Sequence, residues 1–197
     1  MEEPVLKIEN LKLDAGGQEL FRNFNLEIHK QDIIGFFAPT GTGKTSFFNY
    51  IAQNNTCSYV FQEPRLIPSV SVLKNVMLPL ENKMDKAEAK ATAAAWLEKL
   101  NMGHKIDDYA RTLSGGEQQR TSIARAFSYL SMVEESAQLL LLDEPFASQD
   151  EKNISNIITL TKQLVTSKGC ACLVISHDRS LLESFCTRII TQDMFVL

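Results

Sequence analysis

Apolar residues recur along Val5–Asp14 at Val5, Ile8, Leu11 and Leu13, and along Phe24–His29 at Phe24, Leu26 and Ile28. That spacing predicts two half-buried strands, with Gly16-Gly17 supplying a turn between them. Ile33–Phe37 is instead a continuous apolar run, the pattern of a strand covered on both faces. It leads into a glycine-rich stretch and then a predicted helix over Thr45–Gln53, with Ser58–Phe61 as a further short strand. Asp85 to Leu100 is rich in alanine and opens with Asp85 three residues before Glu88, a capping-box spacing; the helix is expected to stop near Gly103. Gly116–Leu130 sets Ile123, Phe127 and Leu130 on one helical face, and Glu151–Lys168 repeats the helical period from Ile154 to Val165 before Gly169. Leu139–Leu142 and Ala171–Ile175 read as buried strands, Arg179–Phe185 as a short helix, and Arg188–Ile190 as a last strand.

Strands alternating with helices predict an α/β fold with a mainly parallel core sheet and an antiparallel patch from the first two strands. At 197 residues the chain suits one domain, 1–197, with an α-helical subdomain over about 63–130 inserted before the Leu139–Leu142 strand. A net charge of −4 without any block of Lys or Arg gives no electrostatic footprint for nucleic acid or an anionic membrane. Leu139–Leu142 falls far short of the roughly 20 apolar residues of a spanning helix. Met1-Glu2-Glu3-Pro4 lacks the basic-then-apolar pattern of a signal peptide, so any membrane link is expected to run through a partner. Cys57, Cys170, Cys172 and Cys186 show no zinc-type pairing and read as small buried hydrophobes of a reducing cytosol.

The chemistry begins at Ala38-Pro39-Thr40-Gly41-Thr42-Gly43-Lys44-Thr45-Ser46. Glycines let several backbone N–H groups converge on a phosphate, and the following helix adds the positive end of its dipole. Lys44 is expected to reach the β- and γ-phosphates, and Thr45 to offer its hydroxyl to Mg²⁺. Asp143 ends the Leu139–Leu142 strand at the edge of the sheet where it can hold Mg²⁺ through water, and Glu144 is then placed to polarise an attacking water. Leu113-Ser114-Gly115-Gly116-Glu117-Gln118 puts a hydroxyl and free N–H groups at a second helix start, a phosphate site with no lysine of its own.

With the glycine loop upstream and Asp143-Glu144 downstream, Leu113–Gln118 resembles the signature of the ATP-binding cassette (ABC) family, the nucleotide-hydrolysing subunits that drive membrane transporters. The resemblance covers essentially the whole chain and implies a P-loop NTPase fold binding ATP and Mg²⁺. It implies that Ser114, Gly115, Gly116 and Glu117 reach the γ-phosphate held by a second subunit, in a homodimer with two sandwiched ATP molecules. Gln62 stands where the family's Q-loop glutamine senses Mg²⁺ and water and touches the membrane subunit. His177 matches the switch histidine that contacts the γ-phosphate, and Ser148 and Asp150 match the D-loop that crosses between subunits. The implied partners are integral-membrane permease subunits and, indirectly, a periplasmic solute-binding protein, on the inner face of the cell membrane; no nucleic acid is implied.

Four departures carry expectations of their own. Ala38 stands where the family has glycine, and Gln149 where it has leucine, which alters the dimer-facing contact. Gln62 follows Lys44 by 18 positions, too few for the usual extra β-hairpin, so the antiparallel patch is expected to be abridged. The family's adenine-stacking aromatic would fall near Ala15, where none is present; losing it costs on the order of 1–3 kcal/mol and predicts weak or poorly base-selective nucleotide binding unless another side chain substitutes. The segment Val60–Pro68 with Val72–Val76 looks like the nitrate, sulfonate and taurine importer branch, where it adjoins the groove for the permease's coupling helix. Two rivals are a soluble ABC-type switch, which lacks its usual tandem cassettes and basic arms here, and a degenerate cassette, which the retained Lys44, Asp143, Glu144 and His177 oppose.

Overall fold

The computed structural model describes residues 3–15, 18–37, 42–133 and 139–191, with Ala15 and Gln18 described in their backbone alone. In chain order the elements are β1 (Leu6–Ala15), β2 (Gln18–Ile28), β3 (Ile33–Phe37), α1 (Lys44–Asn54) and β4 (Cys57–Val60). There follow α2 (Val72–Met77), α3 (Lys86–Lys99), α4 (Gly115–Met132), β5 (Leu139–Asp143), α5 (Glu151–Lys168), β6 (Ala171–Ile175), α6 (Arg179–Phe185) and β7 (Arg188–Thr191). Contacts divide these residues into two units. One holds the chain up to Tyr59, Leu139–Glu144 and the chain from Val165; the other holds Val60–Val133 and Pro145–Leu164.

In the first unit, β1 and β2 form a two-stranded antiparallel sheet running from Leu6 opposite Ile28 to Ala15 opposite Gln18. β2 starts six residues before the alternation at Phe24 predicts. The reason is a broken register: the pairing shifts between Ile8 and Leu11 and again around Leu13, and Asn10 and Asn23 both take left-handed backbone (φ 52°). Such bulges let neighbours Leu20 and Phe21 both face the core, which hides the strand from a period-two reading. The second sheet has the order β4-β5-β6-β3-β7, with β3–β6, β5–β6 and β3–β7 parallel. Every residue of β5 and β6 is buried, as their unbroken apolar runs predict. On α1, Phe47 packs on Phe21 and Phe36 with centroids 4.9 and 5.4 Å apart, and Phe48 meets Phe36 edge-on. This aromatic cluster fixes the start of α1, and with it Lys44 and Thr45.

The second unit packs α2, α3 and α4 against one another. Ile123, Phe127 and Leu130 are buried on α4, and Trp96 of α3 meets Phe127 edge-on at 5.5 Å while its indole N–H donates to Ser131 Oγ at 3.0 Å. Asp85 caps α3 by accepting the Ala87 and Glu88 N–H groups. The helix stops earlier than predicted: Asn101 takes the left-handed position (φ 57°) after the cap at Leu100, and Gly103 starts a separate 3₁₀ turn. Asn75 on α2 is fully buried, with its side chain bonded to the Ile67 N–H and to the Ile67 and Ser71 carbonyls. It pins the loop that precedes its own helix.

Candidate active site

Ala38, Pro39, Thr40 and Gly41 lie outside the described residues, as do Gly16, Gly17 and the side chain of Ala15. From Thr42 on, the glycine loop delivers the chain into α1 through Gly43, whose φ of +84° is left-handed. A methyl carbon there would also stand 2.4 Å from the Leu20 side chain, so both backbone and space require glycine. Lys44 and Thr45 open the helix, with Ser46 after them.

Lys44 is only 7% exposed; burial lowers its pKa, and the charges of Glu144 and Asp143 oppose that fall. Thr45 Oγ1 donates to Asp143 Oδ2 at 2.9 Å. Asp143 is buried, which raises its pKa against the Thr45 hydrogen bond and the charges of Lys44 and His177. Glu144 then turns the chain sharply: its φ is 49°, and its N–H donates to the Ile175 carbonyl at 3.1 Å. A left-handed glutamate is strained, and strain of this kind collects at sites that must aim one side chain. Burial, then the charge of Asp143, push its carboxyl up to about 7, against the His177 backbone N–H and Lys44. His177 Nε2 lies 3.1 Å from Glu144 Oε1, close contact without hydrogen-bond geometry.

Asp143 Oδ1 and Glu144 Oε1 are therefore buried oxygens with no hydrogen-bond partner among the described residues. Buried polar atoms left unpaired call for an explanation, and a cation and a water supply one. A carboxylate and a hydroxyl are the hard oxygen donors Mg²⁺ takes, usually one or two from protein with the rest from phosphate and water. Among the described residues no cluster of three His, Cys, Asp or Glu is placed to hold a metal, and a phosphate-borne Mg²⁺ needs none. Asp143 and Thr45 thus fit Mg²⁺, and a carboxyl titrating near neutrality suits Glu144 as a general base.

The remaining predicted residues fall in the second unit. Gln62 is exposed two residues after β4. Its flanks are tied to α4: Gln119 Nε2 donates to the Phe61 carbonyl at 3.4 Å, and the Arg125 guanidinium donates to the Pro64 and Arg65 carbonyls at 2.8 and 2.9 Å. In the signature, Leu113 is buried. Ser114 caps α4 by accepting the Glu117 N–H, the Glu117 carboxylate accepts the Ser114 N–H, and Gln118 Nε2 donates to the Leu113 carbonyl.

The two glycines of that turn differ. A methyl carbon on Gly116 would sit 2.5 Å from the Ser148 carbonyl oxygen, whereas one on Gly115 meets nothing within 4 Å among the described residues. Ser148 is left-handed (φ 58°), and the Asp150 carboxylate accepts the Asn153 N–H at 2.8 Å in the first turn of α5. Gln149 was expected to alter a dimer-facing contact. Within its own chain its side chain turns onto α4, donating to the Gly116 carbonyl at 3.0 Å and accepting from Arg120 Nη1 at 2.8 Å. Gln119 and Arg120, which continue the signature stretch, and Arg125 have no role assigned from the sequence; the glutamine in a leucine position is a signal that points there.

A family model described as "ABC transporter" matches residues 52–147. An ATP-binding protein of a lipoprotein-releasing system from Saccharophagus degradans is 31% identical over 93% of the chain and 92% of its own length. An ATP-binding protein for aliphatic sulfonate import from Nocardia farcinica is 32% identical over 97% of the chain and 79% of its own length. The dimeric structure of a bacterial ABC transporter cassette superposes with a TM-score of 0.82 at 26% identity, covering 96% of this chain and 94% of the cassette. That cassette has also been solved as a dimer in a post-hydrolysis state with ADP and phosphate. The chain belongs to the ABC transporter family, as an ATP-binding, ATP-hydrolysing subunit. Its relatives serve different transport systems, so the family is established without one solute class. Among the described residues no helix is long and apolar enough to cross a membrane.

Proposed function

We propose that the chain hydrolyses Mg-ATP at the end of β5 and uses that cycle to drive an importer's permease. Residues 38–46 cradle the phosphates, Lys44 neutralises the β- and γ-phosphates, and Thr45 and Asp143 hold Mg²⁺, while Gln62 takes the role of the family's Q-loop glutamine. Mg²⁺ supplies charge neutralisation on the phosphates when bound. Glu144 accepts the proton of the attacking water, and His177 holds the γ-phosphate side of that water's geometry. The observation that carries this reading is the pair of buried carboxylate oxygens, one on Asp143 and one on Glu144, that have no hydrogen-bond partner among the described residues.

The signature turn serves the nucleotide of a second copy, giving an ATP-bound homodimer in which Ser148 and Asp150 lie along the shared face. Gly115 supports this: nothing described within the chain needs a glycine there, so its bare backbone suits a ligand brought from outside. The permease subunits dock beside Gln62, holding the chain at the inner face of the membrane, and a periplasmic binding protein delivers solute to them. The importer branch for small anionic organic solutes rests on the Val60–Pro68 segment and on the sulfonate-import relative. Mg-ATP binding and phosphate release by the purified chain, wild type beside Lys44→Ala, test the reading. Turnover lost in the variant by at least about a hundredfold supports it. Equal turnover in both proteins would overturn it.

A further inference from the structure

We infer that Gln149 is a positioning residue that locks the D-loop to the signature turn, so that the two move as one block. Its carboxamide spans both segments: Nε2 donates to the Gly116 carbonyl at 3.0 Å and the Ala147 carbonyl at 3.3 Å, while Oε1 accepts from Arg120 Nη1 at 2.8 Å. One side chain therefore bonds the D-loop backbone, the first turn of α4 and the second turn of α4. The block closes from the other side as well, because the Ser148 carbonyl presses on Gly116 with no room for a methyl group. Leucine, the residue expected at this position, fills similar space but can neither donate to Gly116 nor accept from Arg120. In this chain a polar clamp replaces a packing contact. A hydrogen bond fixes direction as well as distance, so the clamp sets the angle at which Ser114 and Gly115 are presented.

Gln149 touches no reacting atom; it acts through the signature turn. The consequence for hydrolysis rests on the reading that this turn serves a partner's nucleotide, whereas the clamp itself is internal to one chain. Gln149→Leu keeps the volume and removes all three bonds. Gln149→Glu keeps the acceptor for Arg120 and removes the donor to Gly116.

The test compares both variants with the wild-type chain by amide hydrogen exchange without nucleotide and by steady-state Mg-ATP hydrolysis. Expected are faster exchange at 114–118 and at 147–150 together, and a kcat lower by about tenfold with the KM for ATP within about twofold, because the Lys44 loop is untouched. The thermal midpoint should stay within about 4 °C, separating positioning from general loss of stability. Exchange rising in one segment alone, an unchanged kcat, or a KM rising in step with the fall in kcat would overturn the inference. If the wild type hydrolyses ATP without ever dimerising, the partner-site reading falls, and the paired exchange still decides the clamp.

Discussion

Asp143 and Glu144 each keep one buried oxygen without a hydrogen-bond partner, whereas Ser114, Glu117 and Gln118 bond their polar side chains back onto their own turn. The first region holds unsatisfied charge in reserve, and the cost appears as raised carboxyl pKa values and a left-handed glutamate. The second holds geometry in reserve: every cap is made, and what remains available is bare backbone at Gly115. A site of the first kind is sensitive to charge and pH. A site of the second kind is sensitive to added volume.

The contrast is strongest at Glu144. Glu144→Gln keeps shape and removes the base, so phosphate release should fall by about 10²–10⁴-fold while an ATP-bound dimer accumulates and is seen by size-exclusion chromatography. Turnover within a few-fold of wild type would remove Glu144 from the chemistry and erase the difference between the two regions.

The same substitution sharpens the comparison through pH. In the folded chain Glu144 titrates near 7, against an ordinary value of 4.5. The folded state thus holds the proton more tightly than the unfolded state, and this group's contribution to stability is complete below pH 4.5 and lost as pH rises through about 7. Without Mg²⁺ and nucleotide, Glu144→Gln should therefore be more stable than wild type at pH 8, by on the order of 1 kcal/mol after allowing for partial solvent screening. The gap should close towards pH 4.5. Denaturant melts at the two pH values check it.

Volume decides the next case. Gly116→Ala forces a methyl group against the Ser148 carbonyl and should cost about 1–3 kcal/mol in a denaturant melt. Gly115→Ala meets open space and should leave stability within about 0.5 kcal/mol, yet lower ATP turnover. Equal stability losses at the two positions would remove the distinction between them. A modest effect is expected at the cap: Glu117→Ala removes one arm of the capping box and should lower the thermal midpoint by an amount equivalent to about 0.5–1 kcal/mol.

Chemistry carried by adjacent residues is legible in the sequence. Gly43, Lys44 and Thr45, the Asp143-Glu144 pair after a buried run, and the start of α4 after Ser114 all follow from neighbours along the chain. So do α5, α6, β3 and β6, whose apolar periods run unbroken. Hidden features depend on residues far apart in sequence or on backbone twist. The early part of β2 was masked because bulges at Asn10 and Asn23 break the alternation on which a strand is recognised. Asn75 carries no burial signal of its own in the sequence; its burial follows from Ile67 and Ser71 wrapping around it. Gln149 stood out as a departure, but only the closeness of Gly116 and Arg120 gives it a task.

The open space around Gly115 has a genetic consequence. In the proposed dimer each composite site takes Lys44 from one chain and Gly115 from the other. An allele lacking Lys44 and an allele blocked at Gly115 therefore fail for different reasons. In a cell carrying both, a mixed pair has one site with both defects and one with neither. Two alleles that are each silent alone should restore part of the transport between them, whereas two alleles damaged at Lys44 should restore none. Intragenic complementation thus becomes a map of which residues are lent to a neighbour and which are kept at home.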